Sequence, residues 1–341
     1  MTNVLAAIAA FGAMIFFHEL GHFLIAKRAG VRVYAFALGF GPQLIGWQRG
    51  ETKYTLNLLP FGGYVRMEGE DEGSTSAGSF RVKNVGARMA IIVAGPLMNL
   101  LSAVVILSAA AALFGEPTGA STRVGTVEAG WPARAAGIEA GDEIIAIDGV
   151  TVTTGDQVVE TIHKSAGREL TMTLRRADRE FVVTITPRLD EARGVGRIGF
   201  QPLPVLKRVG PLEAVGLGVR RTGEFVVMLF GAVRGLVREG KFLDSLGGPV
   251  AAGSMLAQTA STGVQAFLNV AAFLSVMIGI FNLLPIPALD GGRLAFLVAE
   301  AVRRRPLLDA RREGLVHTVG FALLLLLLVG VTLRDFRRLF P

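Results

Sequence analysis

Four stretches of the chain carry almost no polar residue, and they set its organisation. They run from Val4 to Ala26, Met89 to Phe114, Ala266 to Leu284 and Leu315 to Leu333. A helix rises about 1.5 Å per residue, so about 20 apolar residues cross a bilayer. Each stretch therefore predicts a membrane-spanning helix. The first reads as a retained span and not a signal peptide. It lacks a basic start and a clear cleavage site, and His18 and Glu19 interrupt its apolar run.

Between the first two spans the pattern changes to alternation. Val31, Val33, Ala35 and Ala37 alternate up to the turn Gly39-Phe40-Gly41-Pro42. A second strand-like run, Tyr54–Leu58, ends at Pro60-Phe61-Gly62-Gly63. This predicts β-hairpin structure, either a cytosolic sheet or a hairpin dipping into the bilayer, where its edge would need protein cover. Gly119 to Pro187 predicts a compact α+β module. Its strands are Val124–Val127, Glu169–Arg175 and Glu180–Thr186, and its helix is Asp156–Lys164. From Pro204 to Gly263 the chain is amphipathic, with Phe225–Phe230 too short to span and Arg220, Arg221, Arg234 and Arg238 around it. That predicts helices lying at the outer membrane boundary, broken at Gly247-Gly248-Pro249.

Composition narrows the class. The 341 residues are 51% hydrophobic and contain no cysteine. The mean hydropathy is +0.50, too apolar for an ordinary soluble enzyme. Disulfides, thiolate metal sites and cysteine nucleophiles are excluded. The net charge of +7 is scattered and accompanies no nucleic-acid motif, so no nucleic-acid partner is expected. Basic residues instead orient the chain. Lys27, Arg28, Arg32, Arg49, Lys53, Arg66, Arg81, Lys83 and Arg88 fill the first inter-span loop, and Arg293, Arg303, Arg304, Arg305, Arg311 and Arg312 the third. Both loops are expected to be cytoplasmic, which puts the amino terminus, the long segment from Gly115 to Gly263 and the carboxyl terminus outside. The tail Arg334, Arg337 and Arg338 opposes this and is outnumbered.

The chemistry centres on His18-Glu19-Leu20-Gly21-His22. On a helix, positions i and i+4 share a face, so both imidazoles reach one ion. Glu19 beside them is placed as general base and then general acid. Two histidines and a glutamate are costly inside an apolar span unless they serve a site. A catalytic zinc wants three protein ligands and an open position. His163 falls on the soluble module's helix. His317 is a lone candidate at the start of span four. Asp290, in the Pro- and Gly-broken run Asn282-Leu283-Leu284-Pro285-Ile286-Pro287-Ala288-Leu289-Asp290-Gly291-Gly292, falls at the same depth as His18 and His22 and is the better third ligand. A helix N-cap is its bland alternative. Asn282 either donates to substrate or an oxyanion, or pins helices together. Gly95-Pro96-Leu97-Met98-Asn99 puts a second amide at membrane depth, with Gly95 read chiefly as a close-packing residue.

Together these segments resemble the site-2 protease family, in its bacterial RseP-like branch. The resemblance covers nearly the whole chain through His18–His22, Gly39–Pro42, Pro60–Met67, Gly95–Asn99, Gly247–Val250 and Asn282–Gly292. The run Gly141-Asp142-Glu143-Ile144-Ile145-Ala146-Ile147-Asp148-Gly149 resembles a bacterial PDZ domain. The resemblance implies a polytopic α-helical membrane protein of four transmembrane helices, with a membrane-associated β-hairpin region and an inserted periplasmic PDZ domain. The expected division is 1–114, 115–190 (PDZ), 191–263 (interfacial helices) and 264–341. It implies zinc held by His18, His22 and Asp290, acid/base catalysis by Glu19, and substrate contact by Asn282, Pro285, Pro287 and Asn99. It further implies a multi-pass protein of the bacterial inner membrane that cuts transmembrane helices. Its substrates would be single-pass proteins, anti-sigma factors or signal-peptide remnants, already trimmed by a site-1-type protease. Some relatives carry two PDZ domains, whereas this chain has room for one. A PDZ adaptor would not need Glu19. A zinc transporter would need ligands along spans two and four, which offer almost none.

Overall fold

The structure is a computed structural model and describes residues 2–70, 74–191, 193–239 and 248–339. The chain opens with α1 (Thr2–Arg28), β1 (Val33–Arg49), β2 (Thr52–Met67) and α2 (Val85–Phe114). Then follow β3 (Glu116–Val127), α3 (Pro132–Ala135), β4 (Glu143–Ile147), β5 (Val150–Thr151), α4 (Gly155–His163), β6 (Leu170–Arg176), β7 (Arg179–Ile185), β8 (Arg188–Asp190), β9 (Val195–Arg197) and β10 (Phe200–Lys207). It closes with α5 (Pro211–Arg238), α6 (Pro249–Thr262), α7 (Val264–Asn282), α8 (Asp290–Arg303) and α9 (Ala310–Leu339). These elements form two compact units, Met1–Ala111 with Gly210–Pro341, and Ala112–Val209.

In the first unit, four helical segments among the described residues are long and apolar enough to cross a membrane: Thr2–Arg28, Val85–Phe114, Val264–Asn282 and Arg311–Asp335. Small residues let α1 and α2 approach closely. A Cβ on Gly21 would lie 2.2 Å from the Ala94 carbonyl oxygen. Pro96 lies inside α2 and lacks the N–H that would bond the Ile92 carbonyl, so the ladder is opened at this contact. Helix α7 joins α2 through Ser275, whose hydroxyl lies 2.9 Å from that of Ser102. Helix α8 joins α2 through Arg88, which makes two hydrogen bonds to the Glu300 carboxylate.

The two strands of this unit do more than make a hairpin. Ala35 to Leu38 pair with Arg66 to Gly63 on one side and lie beside Lys53 to Leu56 on the other. Gln43 to Arg49 pair with Asn57 to Thr52. Each strand therefore bends back near its middle, β1 at Gly39 and Gly41 and β2 at Gly62, all with positive φ. The bends fall on the Gly/Pro runs that the sequence marks as turns.

The second unit is a sheet of order β10-β3-β4-β6-β7, with β5 paired to β4 and a separate β8–β9 ribbon. Val124, Ile144, Ile147, Ile162, Leu170, Met172, Leu174 and Ile198 fill its core. Thr154 and Gln157 close a reciprocal capping box on α4. The turn after β4 has positive φ at both Asp148 and Gly149, as a tight two-residue hairpin requires.

Residues Val195–Arg197 and Phe200–Lys207, expected to belong with the interfacial helices, are strand. Residues Phe200–Lys207 pair with β3 from Phe200↔Val127 to Lys207↔Glu116. Pro202 and Pro204 speak against a strand when read locally, but β10 ends the sheet order, and an edge strand tolerates the missing N–H groups. Helices begin only at Pro211, where α5 is one continuous helix of 28 residues. Gly247, the first residue of the expected break, lies outside the described residues.

Candidate active site

Helix α1 carries His18 and His22 on its buried face, one turn apart. Their Nε2 atoms lie 3.2 Å from each other. Helix α8 starts at Asp290, whose side chain turns toward α1 and does not cap its helix. Its Oδ2 lies 3.1 Å from His18 Nε2 and 3.3 Å from His22 Nε2, and is buried with no hydrogen-bond partner at either distance. Three lone-pair donors thus form a nearly equilateral triangle. A tetrahedral ion with ligand bonds of about 2.0–2.1 Å separates its ligand atoms by about 3.3 Å, so the triangle fits zinc. Among the described residues this is the cluster of histidine and carboxylate groups able to hold a metal.

Helix α2 supplies the support. The Ile91 carbonyl oxygen lies 2.8 Å from His22 Nδ1, which fixes the proton on Nδ1 and leaves the Nε2 lone pair facing Asp290. Gly95, one turn on, leaves room for the imidazole: a Cβ there would sit 2.2 Å from His22 Nε2. Asn99, one further turn on, is fully buried and presents its amide to His18 Nδ1 at 3.4 Å.

His18, Glu19, His22, Asn282, Ala288 and Asp290 share one cavity of about 510 Å³ with the β2 segment Gly63–Met67. Glu19 lies against that segment, where a Cβ on Gly63 would be 2.9 Å from Glu19 Cγ. Asn282 donates one amide hydrogen to the Ile278 carbonyl of its own helix at 3.0 Å. Pro285 and Pro287 flank the cavity in the loop before Asp290 and do not line it. Neither does Asn99, whose side chain is turned to His18. His317 stands apart from the triangle and binds the backbone at Ala288. His163 ends α4 in the second unit. The Ile91 carbonyl has no signature in the sequence beyond Pro96, which marks an interrupted ladder nearby.

A helix bearing two histidines one turn apart, a neighbouring glutamate and a distant carboxylate carries the donor chemistry of a zinc metallopeptidase. Comparison with known proteins agrees. The description "Peptidase family M50" matches residues 6–327. The zinc metalloprotease RasP of Geobacillus kaustophilus is 33% identical, with 100% of this chain and 99% of the relative covered. The regulator of sigma-W protease RasP of Bacillus subtilis is 32% identical, with 100% of this chain and 99% of the relative covered. The solved PDZ domain of the SdrC-like protein of Listeria monocytogenes is 24% identical at a TM-score of 0.23, covering 26% of this chain and 93% of that one. This chain belongs to peptidase family M50, the site-2 protease family, and is a zinc metallopeptidase.

Proposed function

We propose that this chain hydrolyses peptide bonds within the transmembrane helices of single-pass proteins, with His18, His22 and Asp290 as zinc ligands and Glu19 as acid/base. The observation that carries it is the shared cavity. It brings three donors spaced 3.1–3.3 Å apart and the Glu19 carboxylate against one strand segment. Zinc, when bound, supplies Lewis-acid polarisation and lowers the pKa of the attacking water. Glu19 takes the proton from that water and returns it to the leaving amine. Asn282 keeps a second amide hydrogen for the substrate carbonyl or the developing oxyanion.

A helix hides its backbone, so the substrate must unwind before attack. Gly63–Met67 pairs with β1 on one side, and we read its cavity side as the edge to which the unwound segment adds. Pro285 and Pro287 shape the approach from the opposite loop. The module between spans two and three is read as an extracytoplasmic PDZ domain. It admits substrates trimmed by an upstream site-1-type protease and excludes bulky ones. Anti-sigma factors and signal-peptide remnants are the substrate classes favoured, the first in keeping with the name of the Bacillus subtilis relative. The setting is the bacterial inner membrane, with the inter-span basic loops in the cytoplasm.

Metal content and cleavage of a reporter membrane helix, measured on purified protein, test the assignment. Glu19→Gln should keep zinc and lose cleavage, and His22→Ala and Asp290→Ala should lose both. Full zinc occupancy in Asp290→Ala would remove Asp290 from the site. For topology, a reporter fused near Gly155 should behave as extracytoplasmic and one near Gly73 as cytoplasmic. A cytoplasmic signal from the first would reverse the orientation.

A further inference from the structure

We propose that Asn99 is the positioning residue for His18: its side-chain oxygen accepts the Nδ1 proton of His18 and so aims Nε2 at the metal. The inference rests on the ligand set proposed above. His22 displays what a neutral ligand imidazole needs. Its Nδ1 faces the Ile91 carbonyl oxygen at 2.8 Å, an atom that can only accept. The proton is therefore on Nδ1 and the Nε2 lone pair is free. His18 turns the same nitrogen, Nε2, to the metal position, 3.1 Å from Asp290 Oδ2, and as a ligand through that lone pair it must also carry its proton on Nδ1.

The group at His18 Nδ1 is the Asn99 amide, at 3.4 Å and with no exposed surface. An amide can present either its NH2 or its oxygen, because the two ends are nearly the same size. With Nδ2 turned to His18, two N–H groups confront each other once Nε2 is a ligand, and Oδ1 is buried with no hydrogen-bond partner. With the side chain turned half over about Cβ–Cγ, Oδ1 meets the Nδ1 proton. The hydrogen bond then fixes both the tautomer and the ring direction. The metal-bound imidazole is the stronger donor, so it decides which end of the amide faces it.

Why position 99 holds this group follows from α2. Ile91, Gly95 and Asn99 recur every four residues along one face of the helix. His22 and His18 recur at the same interval on α1, and the pairing runs in opposite directions: His22 with Ile91, His18 with Asn99. The Asn99 backbone is pinned as well. Its carbonyl accepts from the Ser102 and Ser275 hydroxyls, each at 2.9 Å. One helix thus supports both histidines, through a carbonyl at one and an amide at the other. A fully buried Asn99 leaves no surface for substrate, so its role is carried through His18.

Zinc affinity, read by competition with a chromophoric chelator on the purified full-length protein, tests this, with helicity measured in parallel. Asn99→Leu should remain helical and bind zinc about 10–100-fold more weakly. Asn99→Asp, whose carboxylate can only accept, should bind at least as tightly as the unaltered protein. At saturating zinc, Asn99→Leu should leave KM for a reporter helix unchanged. Unaltered zinc affinity in Asn99→Leu, or an Asn99→Asp as weak as Asn99→Leu, would overturn the proposal. A raised KM with full zinc affinity would also overturn it and assign Asn99 to substrate. Zinc retained by Asp290→Ala would overturn the ligand set beneath it. Zinc lost there but undiminished in Asn99→Leu would sink this proposal alone.

Discussion

The Nδ1 of His317 accepts a hydrogen bond from the backbone amide of Ala288 at 3.0 Å. Ala288 has a φ of 80°, a conformation that costs a residue with a Cβ, and it lies two positions before Asp290. One turn further along α9, a Cβ on Gly320 would sit 2.4 Å from that of Pro287. The fourth long apolar helix therefore holds the loop that delivers Asp290. Losing one such hydrogen bond costs about 1 kcal/mol, roughly a fivefold change in an equilibrium. His317→Leu should weaken zinc binding by about that factor, and His317→Asn, with an oxygen near the position of Nδ1, should recover most of it. Chelator competition measures both, and equal affinity in the Leu variant would mean that the loop holds itself.

Gly95 makes a sharper case. An alanine there must displace the His22 imidazole or push the two helices apart. Gly95→Ala should lose most zinc and nearly all cleavage. Gly12→Ala in α1 meets nothing within 4 Å and should behave as the unaltered protein. Bound zinc per chain, determined for both, separates a local clash from a general intolerance of added bulk.

The largely buried pair Arg88–Glu300 ties α2 to α8, and so the support helix to the helix that starts at Asp290. Breaking such a pair strands a charge at a cost of about 3–5 kcal/mol, whereas removing both partners costs less. In detergent, Arg88→Met should lower the unfolding temperature more than the double variant Arg88→Met with Glu300→Leu. Additive losses would show that the two charges are not coupled.

In the inserted module, the Arg176 guanidinium holds the Asp142 carboxyl below the usual carboxylate range, helped by the Glu139 amide. A depressed carboxylate stabilises the fold above its ordinary value near pH 4, and the contribution fades as pH falls further. Amides of β4 and β6 should lose protection on acidification below about pH 4, after correction for intrinsic exchange. Asp142→Asn should lose protection at pH 7, by about 1–3 kcal/mol, and flatten that dependence. A variant with the same acid profile as the parent would place the titrating group elsewhere.

The elements read most directly from sequence are those with a local signature. Apolar length marks α1, α2, α7 and α9, and the i, i+4 spacing puts His18 and His22 on one face. Asp290 stands out because Pro and Gly break the run before it. What stayed hidden is non-local. Strand β10 carries Pro202 and Pro204 and is a strand only because β3, far back in the chain, pairs with it. At Ala35–Leu38 the alternation marks a strand but not its double pairing, since both neighbours come from distant parts of the same segment. The Ile91 carbonyl is backbone, common to every residue, so only geometry reveals it.

The pairing of Glu116 with Lys207 means that the chain leaves for the inserted module and comes back through adjacent strands. A segment that exits and returns at one doorway behaves as a cassette. Whatever lies between the two strands can lengthen, shorten or be exchanged while the connection it makes to α2 and α5 stays the same width. Modules of different size and binding taste can then be tried on one catalytic frame, with no demand on the spacing of His18, His22 and Asp290.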